Sequence, residues 1–388
     1  MLWVIVPAPM FPLTTLPLAA LLAAALLLAV LFLTGRPVAA KAQTTEDARG
    51  NADSTEGVAD STLTDEGSSP WVVPVDGASI RLGAVTQFDL TARADDQPSG
   101  FRLRNARLRT TVTSHGLEAF FQTEFVRSPP IFDLRIRYVP HAQLRVTAGL
   151  FKSPFSRSHL TPRPRLPLAE RPVAVDAIAP RRQVGVAVRV RDASKRLTLE
   201  GGMFNGTGRE IEPNDNEHFL YAARLTGTQD IHGWTVGAGI NGAYSIDDGV
   251  MLRDLLDAPF SGTRVAGGID VRVSRQNAFL AAEALAIRLS PDEPGRPDQT
   301  GTGGYVALGV PLFTFSRTGT VQGTARYEQF NPKINQDDER DLSRLSAGVN
   351  VRPQETILLQ WTGVLPLREQ PGSRDGALMT LRLQLALR

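Results

Sequence analysis

The chain has no cysteine in 388 residues, which removes disulfide frameworks, thiolate metal sites and cysteine nucleophiles together, and is compatible with an oxidising compartment. Histidine is scarce: His115, His141, His159, His218 and His232 are scattered, with no pair at metal-ligand spacing and no HExxH arrangement. No metal and no cofactor is expected. The sequence also lacks a GxSxG elbow or a recognisable Ser, His and Asp set, so no enzyme is expected. Gly237 to Gly242 matches GxGxxG, but Ala243-Tyr244-Ser245 continues a strand where a dinucleotide site needs a helix.

Long apolar runs are missing everywhere except near the start. Leu16 to Leu33 is an unbroken apolar run apart from Pro17, and Ala40-Lys41-Ala42 offers a cleavage site before Gln43, so residues 1–42 read as a signal peptide. No Lys or Arg precedes Arg36, a departure from the usual charged opening that makes Met10 an alternative start. A single-span anchor is the competing reading, because the run approaches the ~20 apolar residues of a bilayer helix. Residues 43–70 carry seven acids and little to bury, which predicts a disordered acidic tail on the periplasmic side. Beyond Trp71 the balance turns basic.

From there on, sustained helical periodicity is absent and alternation of period two takes its place, in segments of about ten residues, as tilted membrane-spanning strands require. Phe132, Leu134, Ile136 and Tyr138 share one parity, with Asp133, Arg135 and Arg137 on the other. Arg145, Arg189, Arg264 and Arg272 alternate with apolar neighbours in the same way. Sixteen such segments follow one another, at roughly 80–91, 101–113, 117–126, 131–139, 143–151, 182–192, 195–205, 217–227, 232–245, 263–274, 277–289, 301–310, 319–331, 341–352, 355–366 and 376–388. Tight turns such as Ser114-His115-Gly116 fall at one end and long polar loops at the other. That asymmetry predicts an all-β fold, a sixteen-stranded antiparallel transmembrane barrel over residues 71–388, in a bacterial outer membrane.

One connection is exceptional. Lys152 to Arg181 reads KSPFSRSHLTPRPRLPLAERPVAVDAIAPR, with prolines at 154, 162, 164, 167, 172 and 180 that restrict the backbone. Its cations are Lys152, Arg157, Arg163, Arg165, Arg171 and Arg181, with Arg182 just beyond. A barrel of this size leaves an aqueous channel, and a stiff cationic loop folded inward would narrow it and favour anions. Arg104, Arg107, Arg109, Arg135, Arg137, Arg145 and Arg189 would extend the field along the lumen. Arg102 and Arg104 differ in parity from Arg107 and Arg109, so a bulge near Asn105 and Ala106 is needed to keep all four from lipid. The bland alternatives are a solvated surface loop, and lumen arginines merely paired with Glu118, Glu124, Asp133 and Asp270.

Four blocks in order, GFRLRNARLR (100–109), GLFKSPF (149–155), LPLAERPVAVDAIAPRR (166–182) with Val184-Gly185-Val186, and GMFNGTG (202–208), resemble the phosphate-selective porin O and P family. The later strands match in pattern only. The resemblance implies a homotrimeric sixteen-stranded outer-membrane barrel whose third external loop forms an anion-binding constriction. It supports Lys152, Arg157 and Arg171 in the loop and Arg104 and Arg107 in the second strand as candidates, with small anionic solutes and outer-membrane lipid as partners and no nucleic acid. Phosphate or a similar oxyanion is the expected solute. A structural or adhesive barrel with a plugged lumen is the alternative. The end departs from the family's usual aromatic residue: Leu381, Leu383, Leu385 and Leu387 alternate up to Arg388.

Overall fold

A computed structural model describes residues 72–75, 77–94, 98–208, 214, 216–252, 255–256, 258–315, 319–333, 341–368 and 376–387. The expected signal and acidic segments lie outside these residues. A short strand, β1 (Val72–Val75), pairs with the start of β2 (Ala78–Arg93). The strands that follow are β3 (Gly100–Ser114), β4 (Leu117–Glu124), β5 (Ile131–His141), β6 (Leu144–Lys152), β7 (Arg182–Arg191), β8 (Leu197–Phe204), β9 (Leu220–Ile231) and β10 (Trp234–Val250). The circuit is completed by β11 (Phe260–Arg275), β12 (Ala278–Pro291), β13 (Gln299–Thr314), β14 (Thr320–Lys333), β15 (Leu342–Gln354), β16 (Ile357–Arg368) and β17 (Leu378–Leu387). Each of β2 to β17 pairs antiparallel with its chain neighbour, and β17 pairs with β2 from Leu378↔Arg93 to Leu387↔Ala84. The result is a closed barrel of sixteen strands.

Closure leaves no strand edge with unpaired backbone groups, the condition for a sheet to sit in hydrocarbon. The outward face is apolar: Leu134, Ile136, Val186, Val188, Leu381, Leu383, Leu385 and Leu387 are all exposed. The GxGxxG stretch lies within β10. Among the described residues no helix is long and apolar enough to cross a membrane, a statement that does not bear on strands. Turns at one end are short: His115-Gly116 and His232-Gly233 each take positive φ at both residues, the geometry whose twist matches paired strands. The long connections, including residues 153–181 and 205–219, all leave the other end.

Two of the register shifts among the described strands re-aim inner-face residues near the loop. In β3, Gln87 pairs with Asn105 and Phe88 with Leu103, so Arg104 is the extra residue. The expected bulge is therefore present one residue before Asn105, and Leu103 and Leu108 face outward while Arg104 and Arg107 do not. The second bulge corrects the sequence reading of β5. Thr123 pairs with Ile131 and Gln122 with Asp133, which leaves Phe132 unpaired in register. Phe132 is buried rather than on the outer face, with the guanidinium groups of Arg107 and Arg182 over its ring at 4.1 and 3.7 Å.

Candidate functional site

Residues 153–181 do not lie out in solvent. They carry a short helix α1 (Arg157–Leu160), a 3-10 turn (Arg163–Arg165) and a second short helix α2 (Val173–Ile178). Prolines place the breaks: Pro162 and Pro172 precede the turn and α2, where a missing N–H is not needed. Phe155, Ala174, Val175, Ile178 and Ala179 are buried against Ala281, Leu285, Ile287, Leu289 and Phe330. At about 1.5–3 kcal/mol for each large side chain withdrawn from water, Phe155, Val175 and Ile178 alone hold this end of the loop firmly.

Polar contacts fix the remainder to the inner faces of the strands. Ser156, buried with φ 55°, caps α1 through its side chain, which accepts from His159 N at 3.1 Å. Glu283 of β12 accepts from Arg157 N at 3.1 Å, Ser158 N at 3.2 Å and the Tyr305 hydroxyl at 3.2 Å. Farther along, Asn350 and Thr324 donate to the Pro167 carbonyl at 2.9 and 3.2 Å, and Gln384 to that of Pro164 at 3.1 Å. Thr362 Oγ1 accepts from Ala169 N at 3.2 Å. Glu328 accepts from Val173 N at 2.8 Å. The loop thus makes contact with β11 to β17, far from the β6 and β7 that it joins.

The predicted cations divide into two groups. Most have a carboxylate: Arg157 with Asp270 at 2.8 Å, Arg104 and Arg163 with Glu170 at 2.7 and 3.1 Å, and Arg182 with Asp133 at 3.0 Å. On the wall, Arg107 meets Glu124 at 2.6 Å, Arg137 meets Glu118 at 3.0 Å, and Arg189 and Arg145 share Glu200 at 2.6 and 3.8 Å. Arg135 lies 4.0 Å from Asp133 and over the Phe120 ring. Arg109 packs against the Gly83 backbone on the neighbouring strand.

The second group is held by neutral oxygens. Lys152 Nζ donates to the carbonyls of His159, Leu160 and Thr161, three acceptors that suit the three donors of an ammonium. Arg171, buried, donates to Ser158 O at 2.8 Å and to Thr161 O. Among the described residues no carboxylate lies within ion-pair distance of either. Burial pushes the Arg171 guanidinium down to about 10, which leaves it charged at neutral pH. Burial, with Lys152 and Arg171 adding to it, drives His159 far below its usual value, so this neighbour is neutral. Arg181 is exposed and donates to Asp176 O at 2.9 Å. The Arg165 backbone N–H donates to Pro162 O at 2.9 Å, and its side chain makes no ion pair or hydrogen bond among the described residues.

Sequence reasoning missed the anchors. Arg382 of β17, fully buried, donates to Asp89 at 2.7 and 2.9 Å and to the Ala169 carbonyl at 2.6 Å. Its signal was available: Thr380, Arg382 and Gln384 are the polar parity between the four alternating leucines.

A closed antiparallel barrel with an apolar outer face, strands long enough to cross a bilayer and a polar inner wall is an outer-membrane channel. The family model for phosphate-selective porin O and P matches residues 80–286, more than half of the chain, and the chain belongs to that family of bacterial outer-membrane porins. Among solved structures it is similar to the anion-selective porin from Comamonas acidovorans, with 11% identity, a TM-score of 0.56 and coverage of 80% of this chain and 99% of the other. The outer-membrane channel DcaP of Acinetobacter baumannii gives 13% identity and 0.56, covering 81% and 98%. OmpT of Vibrio cholerae gives 10% and 0.55, covering 81% and 99%. These identities speak to the fold. A search of curated proteins finds no match.

Proposed function

We propose that this porin passes small solutes with a preference for anions, phosphate or similar oxyanions among them, and that residues 153–181 form its constriction. The observation that carries this reading is the pair Lys152 and Arg171. A cation neutralised by an adjacent carboxylate contributes little field beyond a Debye length. Arg171, whose hydrogen bonds end on main-chain carbonyls, stays charged at neutral pH with no adjacent carboxylate to cancel its field, and burial in low dielectric strengthens its reach. Arg165 adds to that surplus, and Arg157, Arg163, Arg181 and Arg182 give the loop its geometry. On the wall, Arg104, Arg107, Arg109, Arg135, Arg137, Arg145 and Arg189 serve in this reading as a paired lining. The solutes meet the cations by diffusion, with no cofactor.

The same reading includes an assembly of three copies, supported by the trimer form of OmpT among similar structures, and export directed by residues 1–42 with residues 43–70 as a periplasmic tail. The apolar packing of α2 on β12 favours one competing reading, a plugged barrel with a structural role. Planar-bilayer recordings of purified protein separate them. The expected result is open channels whose reversal potential in a KCl gradient shows chloride favoured, with that preference reduced in a Lys152→Met, Arg171→Met double variant. Cation preference in the wild type overturns the anion reading, and absence of conductance favours the plug.

A further inference from the structure

Four guanidinium groups converge on one loop carboxylate. Arg104 Nε and Nη2 donate to the two oxygens of Glu170 at 2.9 and 2.7 Å, the parallel fork that recognises a planar two-oxygen anion. Arg163 Nη1 donates at 3.1 Å, and Arg382 and Arg102 stand at 3.7 and 3.9 Å. Arg102 and Arg382 also share Asp89, at 3.3 and 2.7 Å. Four cations therefore surround two carboxylates, and the site keeps a positive excess with Glu170 in place. Glu170 is not sealed away: 39% of its side-chain surface is accessible. It borders a cavity of about 650 Å³ that Arg102 and Arg104 also line. Val364, Pro366 and Leu378 also line that cavity.

We propose that Arg102, Arg104 and Arg163 form a binding site for organic carboxylates with an apolar body, and that Glu170 is its built-in occupant, displaced by the incoming solute. This inference rests on the anion-porin reading and names a solute class for it. A tethered carboxylate outcompetes a free one of equal affinity because its effective concentration is high. An entering solute gains what Glu170 cannot supply, the burial of hydrocarbon against Val364, Pro366 and Leu378. Inorganic phosphate offers the oxygens without the hydrocarbon. The loop carboxylate then sets a threshold: small inorganic anions pass without lodging, and amphipathic carboxylates dwell.

The test measures block of chloride current by butyrate, formate and phosphate in wild type, Glu170→Ala and Glu170→Gln. Removing the tethered competitor is expected to lower the half-blocking butyrate concentration by at least about tenfold, with butyrate stronger than formate or phosphate. An Arg104→Met, Glu170→Ala double variant is expected to lose the gain. Should the alanine variant fail to assemble as a heat-modifiable barrel, the isosteric glutamine variant carries the comparison. Equal block in wild type and both Glu170 variants, or block that survives loss of Arg104, overturns the site. Phosphate as strong as butyrate overturns the role of the apolar wall. Reversal potentials from the same membranes keep the two ideas apart. Chloride-selective wild type with no butyrate gain defeats this site alone, whereas a cation-selective wild type defeats the anion reading.

Discussion

Two stretches of the inner wall differ in kind. On β3 to β8 the inward positions hold Arg107, Arg135, Arg137, Arg145 and Arg189, interleaved with Glu118, Glu124, Asp133 and Glu200. On β12 the inward positions Ala281, Leu285, Ile287 and Leu289 are apolar, with Glu283 as the polar exception. The first stretch is a wall of buried, paired charges. The second is a floor onto which α2 packs as a helix packs on the core of a soluble protein. The contrast teaches that this lumen is shaped by a hydrophobic core built inside the barrel, and charged by residues that core holds in place. Selectivity and stability of the loop therefore reside in different side chains, and each can be perturbed separately.

The largest effect is expected from breaking the floor. Ile178, 2% exposed in α2, substituted by Asp would bury a charge without a partner, a cost of several kcal/mol that α2 avoids by leaving the wall. Single-channel conductance should rise and anion preference fall together while the barrel keeps its heat-modifiable mobility. Next comes Glu283→Ala, which strands the N–H groups of Arg157 and Ser158 and frees Ser156 from a positive φ that these contacts to Glu283 hold. Each unsatisfied group costs about 1–3 kcal/mol. The measurement is open-channel noise, expected to rise as the loop visits undocked states, with a smaller change in mean conductance than for Ile178→Asp.

A smaller effect sharpens the other side of the comparison. Arg189→Met leaves Glu200 with Arg145 alone, at 3.8 Å, and should shift the reversal potential modestly toward cations. Adding Glu200→Gln should cancel most of that shift, because the pair contributes little net field. The Lys152 and Arg171 variants have no such compensating partner. A wall double variant that lost as much selectivity as the Lys152 and Arg171 pair would erase the proposed distinction between paired and carbonyl-held cations.

The sequence made all sixteen strands legible because the outer face alternates without respite, whatever faces inward. Leu144, Val146 and Ala148, or Leu381 to Leu387, announce a strand by themselves. Bulge placement near Asn105 followed from the parity of four arginines. Phe132 was misplaced because a bulge at that residue inverts its facing, and nothing local marks it. The β12 floor was illegible for a related reason. Ala278 to Pro291 carries only Glu283 and Arg288 as charged residues, one on each parity, so alternation cannot tell which side meets lipid. Ion-pair partners were hidden by distance along the chain: Arg104 finds Glu170 66 residues away, and Arg382 finds Asp89 293 residues away. The resemblance brought out Lys152, Arg157 and Arg171. It could not separate the carboxylate-paired Arg157 from the carbonyl-held Lys152 and Arg171.

The smallest expected effect is a flat pH response, and its flatness is informative. Burial raises the Glu170 carboxyl, but Arg104 first, then Arg163 and Arg382, outweigh burial and bring it from an ordinary 4.5 to about 2. A carboxyl depressed on docking stabilises the docked loop fully above its undocked value and loses that contribution as pH falls through the docked one. For Glu170 the window runs from about 4.5 down to about 2. Between pH 8 and 5 Glu170 stays ionised and Arg171 stays charged, and the Glu170 contribution to conductance and reversal potential should stay constant. Below about pH 4, loop docking should weaken and open-channel noise grow. The Glu170→Gln variant should lack this acid step while retaining any that arises at the wall carboxylates, so the difference between the two pH profiles isolates the loop from the wall it rests on.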